Sequence, residues 1–332
     1  MNKHLQALQK ITNQFFDDSL AIGELFNLCT EYRNFLNKLI AQNLDNEINR
    51  TDIVSDNGKA IGTYWAAMCI TDIFRTSQFI KGINEAIESN LKHQEQLSIL
   101  YAGTGPFAAL LLPFFTKFSK VNIEYTLLEI NPESFAILQN IITTLGLNTH
   151  NVKLVNEDAT TYKHTTSPDI IVSETMQNAL AKEQQVPIYL NLMKQAKPNC
   201  IFIPEEINIS IALKKAGVPI EKISKNDFQF VETVFKLNKE TLAFLSSVSK
   251  SNTTPIFPTV TTNINKSQLI GNNLLVLITT IKVYGKHLIY INESGLTTPL
   301  TIASVKNSAQ SIGVTTQYVV EQEPKLHYTV HQ

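Results

Sequence analysis

The sequence predicts an α/β fold: a Rossmann-like parallel sheet with a helical N-terminal region and a β-rich C-terminal domain. Three observations predict it. Between Leu97 and Pro204 short apolar runs alternate with helical patterns, as βαβ units require. Upstream, apolar residues recur at three- and four-residue steps, and after Pro204 that helical rhythm mostly stops. The corresponding regions are 1–95, 96–205 and 206–332.

From Leu5 to Ile40 the apolar positions Leu5, Leu8, Ile11, Phe15, Leu25, Leu28 and Phe35 mark amphipathic helices. A second helical stretch runs from about Gly62 to Asn90 and ends in the polar break Leu91 to Gln96. Predicted sheet strands are Leu97 to Tyr101, Glu124 to Leu128, Val152 to Val155, Asp169 to Val172 and Ile201 to Ile203. Beyond them, Ile207 to Leu213, Leu274 to Tyr284, Leu288 to Ile291 and Leu326 to Val330 read as antiparallel strands. The Thr/Asn/Pro-rich stretch Ser247 to Ser267 reads as a loop, an arm or a connection.

The 332 residues are long enough to bury a core, carry only 17% charged residues and have a formal net charge of −1. No basic field exists to collect nucleic acid or anionic lipid, so neither is an expected partner. Cys29, Cys69 and Cys200 lie far apart with no Cys-x-x-Cys pair, which argues against disulfides and zinc and for a reducing cytoplasm. His150, His164 and His287 lack ligand-like spacing, read as surface or loop residues, and give no metal site. The start lacks the order of a signal peptide, and the apolar run near Ala108 to Phe115 is too short to span a bilayer.

Leu97 to Ala108 is a strand running into a glycine turn, Gly103-Thr104-Gly105-Pro106, and then an expected apolar helix with Pro106 in its first turn. The glycines let the backbone approach a ligand, and a helix N-terminus there suits a nucleoside cofactor. Some two dozen residues on, the next strand ends in Glu129, placed to accept hydrogen bonds from ribose hydroxyls. A nicotinamide dinucleotide would fit these features too. The third strand favours S-adenosylmethionine, because Asp158 precedes the small Ala159 as in enzymes where such an acid takes the adenine amino group.

Glu174 and Glu183 stand nine residues apart in Ser173 to Gln184, directly after the fourth strand. Each carboxylate can accept paired N–H bonds from a planar guanidinium, fixing its plane and drawing its charge away from the nitrogen that attacks. Glu174 emerges on the expected reaction face, and Glu183 reads either as its partner or as an exposed first-turn helix acid before Gln184 to Ala196. Met176 reads as a pocket wall or a packed core residue.

Three stretches together resemble class I S-adenosylmethionine-dependent methyltransferases of the protein arginine methyltransferase type. Asp72-Ile-Phe-Arg75-Thr76 is similar to that family's Asp-x-x-Arg-Thr helix, the glycine turn with Glu129 to its cofactor signature, and Ser173-Glu174-Thr-Met176 through Leu180 to Glu183 to its double-glutamate hairpin. The resemblance covers roughly Met68 to Pro204 and implies that Arg75 holds the cofactor carboxylate and that Ile203-Pro204 leads into a barrel-like domain. It implies S-adenosylmethionine binding by Arg75, Gly103, Thr104, Gly105, Glu129, Asp158, Ala159 and Glu174. Catalysis would then fall to Glu174, Glu183 and Asp72, with Met176 and both glutamates at the acceptor.

The chain departs from the family in three places. Tyr101 stands where the first glycine is usual, Tyr64-Trp65 at best echoes an aromatic pair and reads rather as core, and the Thr-His-Trp loop is not visible. Its nearest counterpart, Gly295 to Pro299, has neither His nor Trp, so Asp72 loses the family's histidine partner. The expected acceptor is a guanidino group in a peptide, protein or small molecule. Small-molecule N- or O-methylation and non-catalytic S-adenosylmethionine binding remain open, with a nicotinamide oxidoreductase less favoured. By the same resemblance Asn226 to Asn263 is a candidate homodimerisation arm.

Overall fold

A computed structural model describes residues 2–40, 42–147, 151–218, 224–248, 256–305 and 310–331. The N-terminal region opens with α1 (Lys3–Thr12) and α2 (Ile22–Ile40), whose buried Leu5, Leu8, Ile11, Leu25, Leu28, Tyr32 and Leu36 keep the helical step. The Tyr32 hydroxyl donates to the Ala109 carbonyl at 2.8 Å and ties α2 to the chain beyond the glycine turn. A short α3 (Glu47–Arg50) is followed by a small hairpin, β1 (Ile53–Ser55) against β2 (Gly58–Ala60), which sequence reading did not anticipate.

The helical stretch expected from Gly62 to Asn90 is two helices, α4 (Thr63–Met68) and α5 (Ile73–Leu91). A 3-10 turn, Cys69–Thr71, follows α4; the extended backbone of Asp72 stops it, and the Asp72 carboxylate caps α5, accepting from Arg75 N–H at 3.3 Å. Along α5 the side chains of Phe79, Ile80, Ile83 and Ile87 are fully buried. Burial of each contributes about 1.5–3 kcal/mol, which anchors the first turn of α5, where Arg75 sits.

The central sheet contains β3 (Gln96–Ala102), β4 (Asn122–Leu128), β5 (Val152–Val155), β6 (Ile170–Ser173) and β7 (Ile201–Ile203). All neighbours are parallel, and the order is β5-β4-β3-β6-β7. The helices α6 (Leu112–Lys117), α7 (Pro132–Thr144) and α8 (Gln185–Lys194) accompany it. Chain order reverses between β3 and β6, so a crevice opens at their C-terminal ends. One expectation is corrected here: no helix begins at Pro106. Ala108 lies in the left-handed region (φ 44°), which interrupts a helix started there, and α6 begins only at Leu112.

The C-terminal half is β-rich. It comprises β8 (Glu206–Lys215), β9 (Phe228–Leu237), α9 (Lys239–Val248), β10 (Val260–Asn265), α10 (Lys266–Leu269), β11 (Asn272–Tyr284), β12 (His287–Ile289), β13 (Leu300–Ser304), β14 (Ser311–Val319) and β15 (Lys325–His331). One antiparallel sheet runs β12-β11-β8-β9, with β13 also on β11, and another runs β10-β14-β15. The rings of Phe235, Phe257 and Tyr318 join the two, with centroids 4.3 to 5.5 Å apart. Part of the stretch expected to be a loop, Ser247 to Ser267, is β10 and α10; residues 249–255 lie outside the described residues. Among the described residues no helix is long and apolar enough to cross a membrane.

Candidate active site

A cavity of about 450 Å³ lies at the C-terminal ends of β3, β4 and β6, where the reversed chain order places a crevice. Gly103 (φ 73°) and Gly105 (φ 60°) form its floor. A Cβ on Gly103 would stand 2.2 Å from the Thr175 methyl, so only a glycine lets the turn pass beneath the chain leaving β6.

Glu129 leaves the end of β4 and is buried beside this turn. Its carboxylate accepts from Gly105 N–H at 2.7 Å, from Asn131 N–H at 2.8 Å and from the Thr104 hydroxyl at 3.4 Å. Burial pushes the carboxyl above its usual range, against the lowering effect of those donors. Three donors do not exhaust its roughly four lone-pair positions, and Glu129 still lines the cavity.

Glu174 follows β6 directly, and its Oε2 pairs with the guanidinium of Arg75 from the first turn of α5. Its Oε1 is buried with no hydrogen-bond partner. Both residues line the cavity, as do Met176 and Glu183. Burial pushes the Glu183 carboxyl up, while Arg75, Gln177 and Lys59 pull it down by less. The first-turn helix reading of Glu183 fails: α8 starts at Gln185, and Glu183 is buried ahead of it.

Between the glutamates the backbone is strained. Ala179 (φ 54°), Leu180 (φ 53°) and Lys182 (φ 68°) all occupy the left-handed region, at about 1–3 kcal/mol each. Tertiary bonds impose this shape. Thr279 Oγ1 accepts from Ala179 N–H at 3.0 Å, Tyr318 OH donates to the Leu180 carbonyl at 2.7 Å, and Lys182 N–H donates to the Pro324 carbonyl at 2.7 Å. On the other side Lys59 N–H donates to the Lys182 carbonyl at 2.9 Å, and Gln184 Nε2 donates to Ser55 Oγ at 2.8 Å.

Two expected site residues stand elsewhere. Asp158 does not line the cavity: its Oδ1 accepts from Thr160 N–H at 2.8 Å, and its neighbours Glu157 and Ala159 line the wall instead. Asp72 does not line it either, because its carboxylate caps α5 and accepts from Ser294 Oγ at 2.6 Å and Gly295 N–H at 3.1 Å. Asp72 therefore ties α5 to the β-rich region through Ser294 and Gly295. Ser294 occupies the partner position sequence reading left empty, one residue before the segment it identified. Its signal was faint, a Ser-Gly pair that also caps a short turn through Leu296 N–H at 3.1 Å.

Sequence reading also missed Lys59, Cys69 and Glu157 as lining residues. Tyr101 is buried and lines the cavity where a glycine was expected, and burial raises its phenol pKa. Tyr64 is half-buried and packs against the core, whereas Trp65 is not core. Their rings pack edge to face at 4.9 Å, Trp65 is 45% exposed, and the Arg50 guanidinium lies 4.2 and 5.0 Å from the two centroids. His287 is buried, not a surface residue, between Glu85 at 3.1 Å and Gln78 at 3.3 Å. His164 is half-buried against the Leu192 carbonyl at 3.1 Å, and His150 lies outside the described residues.

Residues 68–201 match the family model described as PRMT5 arginine-N-methyltransferase, a stretch running from the end of α4 to β7. Arabidopsis thaliana Protein Arginine Methyltransferase 10 is similar in fold, with a TM-score of 0.55 at 12% identity over 81% of this chain and 93% of that one. A Trypanosoma brucei PRMT1 enzyme-prozyme heterotetrameric complex with AdoHcy aligns over 79% of this chain and 91% of that one, with a TM-score of 0.49 and 10% identity. No curated protein matches the sequence.

Proposed function

We propose, from the premise that this chain is a class I S-adenosylmethionine-dependent methyltransferase of the protein arginine methyltransferase type, that it methylates a guanidino nitrogen of arginine in a peptide or protein. One observation carries the acceptor assignment. Glu174, which lines the cavity, already holds a guanidinium, that of Arg75, through Oε2, while its buried Oε1 has no partner. A buried carboxylate oxygen without a donor is unfavourable by about 1–3 kcal/mol or more, and an incoming guanidinium would relieve it.

The cavity fits the cofactor. Gly103 leaves a backbone cradle that any Cβ would fill, and Glu129 stands at the end of the neighbouring strand. In this reading Gly103, Thr104, Gly105 and Glu129 hold the nucleoside, Glu157 and Ala159 its base edge, and Arg75 the carboxylate. When bound, S-adenosylmethionine supplies an electrophilic methyl group. The chain's own work is to orient the acceptor. Glu174 and Glu183 fix the guanidinium plane from two sides, Met176 closes the wall, and the Glu183 carboxylate can take the proton that the nitrogen loses. Asp72 is assigned to positioning through Ser294.

The division at 95/96 and 205/206, a cytoplasmic setting and homodimerisation through Asn226 to Asn263 complete the reading. Sedimentation velocity tests the last: a monomer at micromolar concentration removes it. The acceptor is tested with labelled S-adenosylmethionine and arginine peptides, free guanidines and lysine peptides. Label on the peptide guanidine, lost in both Glu174→Gln and Glu183→Gln, is expected. Transfer to an amine or hydroxyl that survives Glu183→Gln would overturn the assignment.

A further inference from the structure

The hairpin β1–β2 brings two more charges to Glu183. Residue Lys59 makes a parallel β-bridge to Glu183, and both side chains line the cavity. Gly58 (φ 120°) permits this closeness: a Cβ there would stand 3.0 Å from the Lys182 carbonyl oxygen and 3.1 Å from Gln184 Cγ. Across a parallel bridge the two side chains share a face, so an unrestrained Lys59 ammonium would be within reach of the Glu183 carboxylate. Instead Lys59 Nζ is held by Asp52 Oδ2 at 2.6 Å. The other oxygen, Asp52 Oδ1, accepts from Gly62 N–H at 2.9 Å and fixes the carboxylate.

We infer that Asp52 is a positioning residue for acceptor specificity: by holding the Lys59 ammonium it keeps the Glu183 carboxylate open to the cation of the acceptor. The inference rests on the proposed guanidino acceptor, because an uncharged acceptor would gain nothing from an open carboxylate. The groups facing Glu183 support it. Arg75 and Lys59 are cations, Gln177 donates a hydrogen bond, and Asp52 is the anion that opposes Lys59. With Asp52 ionised the Lys59–Asp52 pair presents no net charge to Glu183; with Asp52 neutralised, the Lys59 charge beside the carboxylate is no longer balanced by its partner. A second cation would then have to displace the first.

Asp52→Asn is the discriminating variant, since the amide oxygen can still accept from Gly62 N–H while the charge that holds Lys59 is gone. The expected result is a several-fold rise in KM for an arginine peptide, no comparable change in the Kd of S-adenosylhomocysteine, and recovery of KM in Asp52→Asn/Lys59→Met. A KM that stays at the wild-type value, or one that the second substitution does not restore, overturns the inference. A readout without any acceptor separates it from the proposed function. With ¹³C-labelled glutamate, the Glu183 carboxyl should titrate lower in Asp52→Asn than in wild type and return upward in the double variant. An unchanged Glu183 titration overturns the inference even if guanidines are methylated. If the titration moves as expected while no guanidine is methylated by wild type, the Lys59 hand-over stands as geometry, and the failed part is the proposed acceptor, which takes the specificity role with it.

Discussion

Ser294 Oγ donates to Asp72 Oδ2 at 2.6 Å, joining the loop after β12 to the cap of α5 across 222 positions of sequence. The same carboxylate accepts from Arg75 N–H, so one hydroxyl in the β-rich region bears on the helix turn that carries the Glu174 partner. Substituting Ser294→Ala removes the hydroxyl donor and leaves the Asp72 carboxylate with backbone N–H groups alone. A hydrogen bond to a charged group contributes about 1.5–3 kcal/mol. The expected outcome is a melting temperature several degrees lower and weaker S-adenosylhomocysteine binding, read by thermal unfolding and calorimetry. Wild-type values for both would show that this bond does not position α5.

Arg75 is expected to exchange partners. Its guanidinium pairs with Glu174 in this structure, and the proposed cofactor carboxylate draws on the same cation. Cofactor binding should therefore release Glu174 and tighten arginine-peptide binding. Linkage then requires the peptide to tighten cofactor binding by the same factor, typically about 5- to 150-fold. Calorimetry with S-adenosylhomocysteine and peptide, each titrated with and without the other, measures it; equal affinities would refute the exchange. Arg75→Ala should weaken the cofactor and destabilise the fold by about 3–5 kcal/mol, since it strands a buried carboxylate.

Gly103→Ala tests the cradle. The added methyl meets Thr175 Cγ2 at 2.2 Å and forces alanine to a φ of 73°, so both steric and backbone terms oppose it. A loss of about 1–3 kcal/mol from backbone strain alone is expected, together with loss of cofactor binding. Thermal shift with and without S-adenosylhomocysteine should show a lowered baseline and an abolished shift.

What could be read from sequence follows from how each element is stabilised. The central strands were legible because parallel strands covered on both faces are continuous apolar runs, as in Ile170 to Ser173, where every residue is buried. Helices α1 and α2 were legible because Leu5, Leu8 and Ile11, then Leu25 and Leu28, keep a helical step. The β1–β2 hairpin was not: three residues of Ile-Val-Ser and three of Gly-Lys-Ala are too short to show a period. Strand β10 hides in Val-Thr-Thr-Asn-Ile-Asn, where the buried Thr262 carries a position usually given to an apolar residue.

The candidate site divides the same way. Gly103, Glu129 and Glu174 were legible because each leaves the end of a strand whose position fixes it. The loop shape between Glu174 and Glu183 was not, since Ala179, Leu180 and Lys182 have no local reason to adopt positive φ. Thr279, Tyr318 and Pro324, more than a hundred residues away in some cases, impose it through hydrogen bonds.

Glu183 also sets a pH dependence whose sign can be worked out. Burial raises its folded-state pKa above the ordinary carboxyl value of 4.5, so the folded chain binds this proton more tightly than the unfolded chain. Its contribution to stability is full below the ordinary value and is lost as pH rises through the raised one. Above the raised value the ionised carboxylate therefore opposes folding, while acceptor binding needs it ionised. Glu183→Gln should melt higher than wild type above the raised pKa, with the gap closing as pH falls toward the ordinary carboxyl range. Turnover of an arginine peptide by wild type should rise over the interval in which the stability gap opens. A Glu183→Gln variant that melts lower than wild type at alkaline pH would mean that the Arg75 attraction outweighs burial, and that this carboxylate stabilises the fold it was expected to strain.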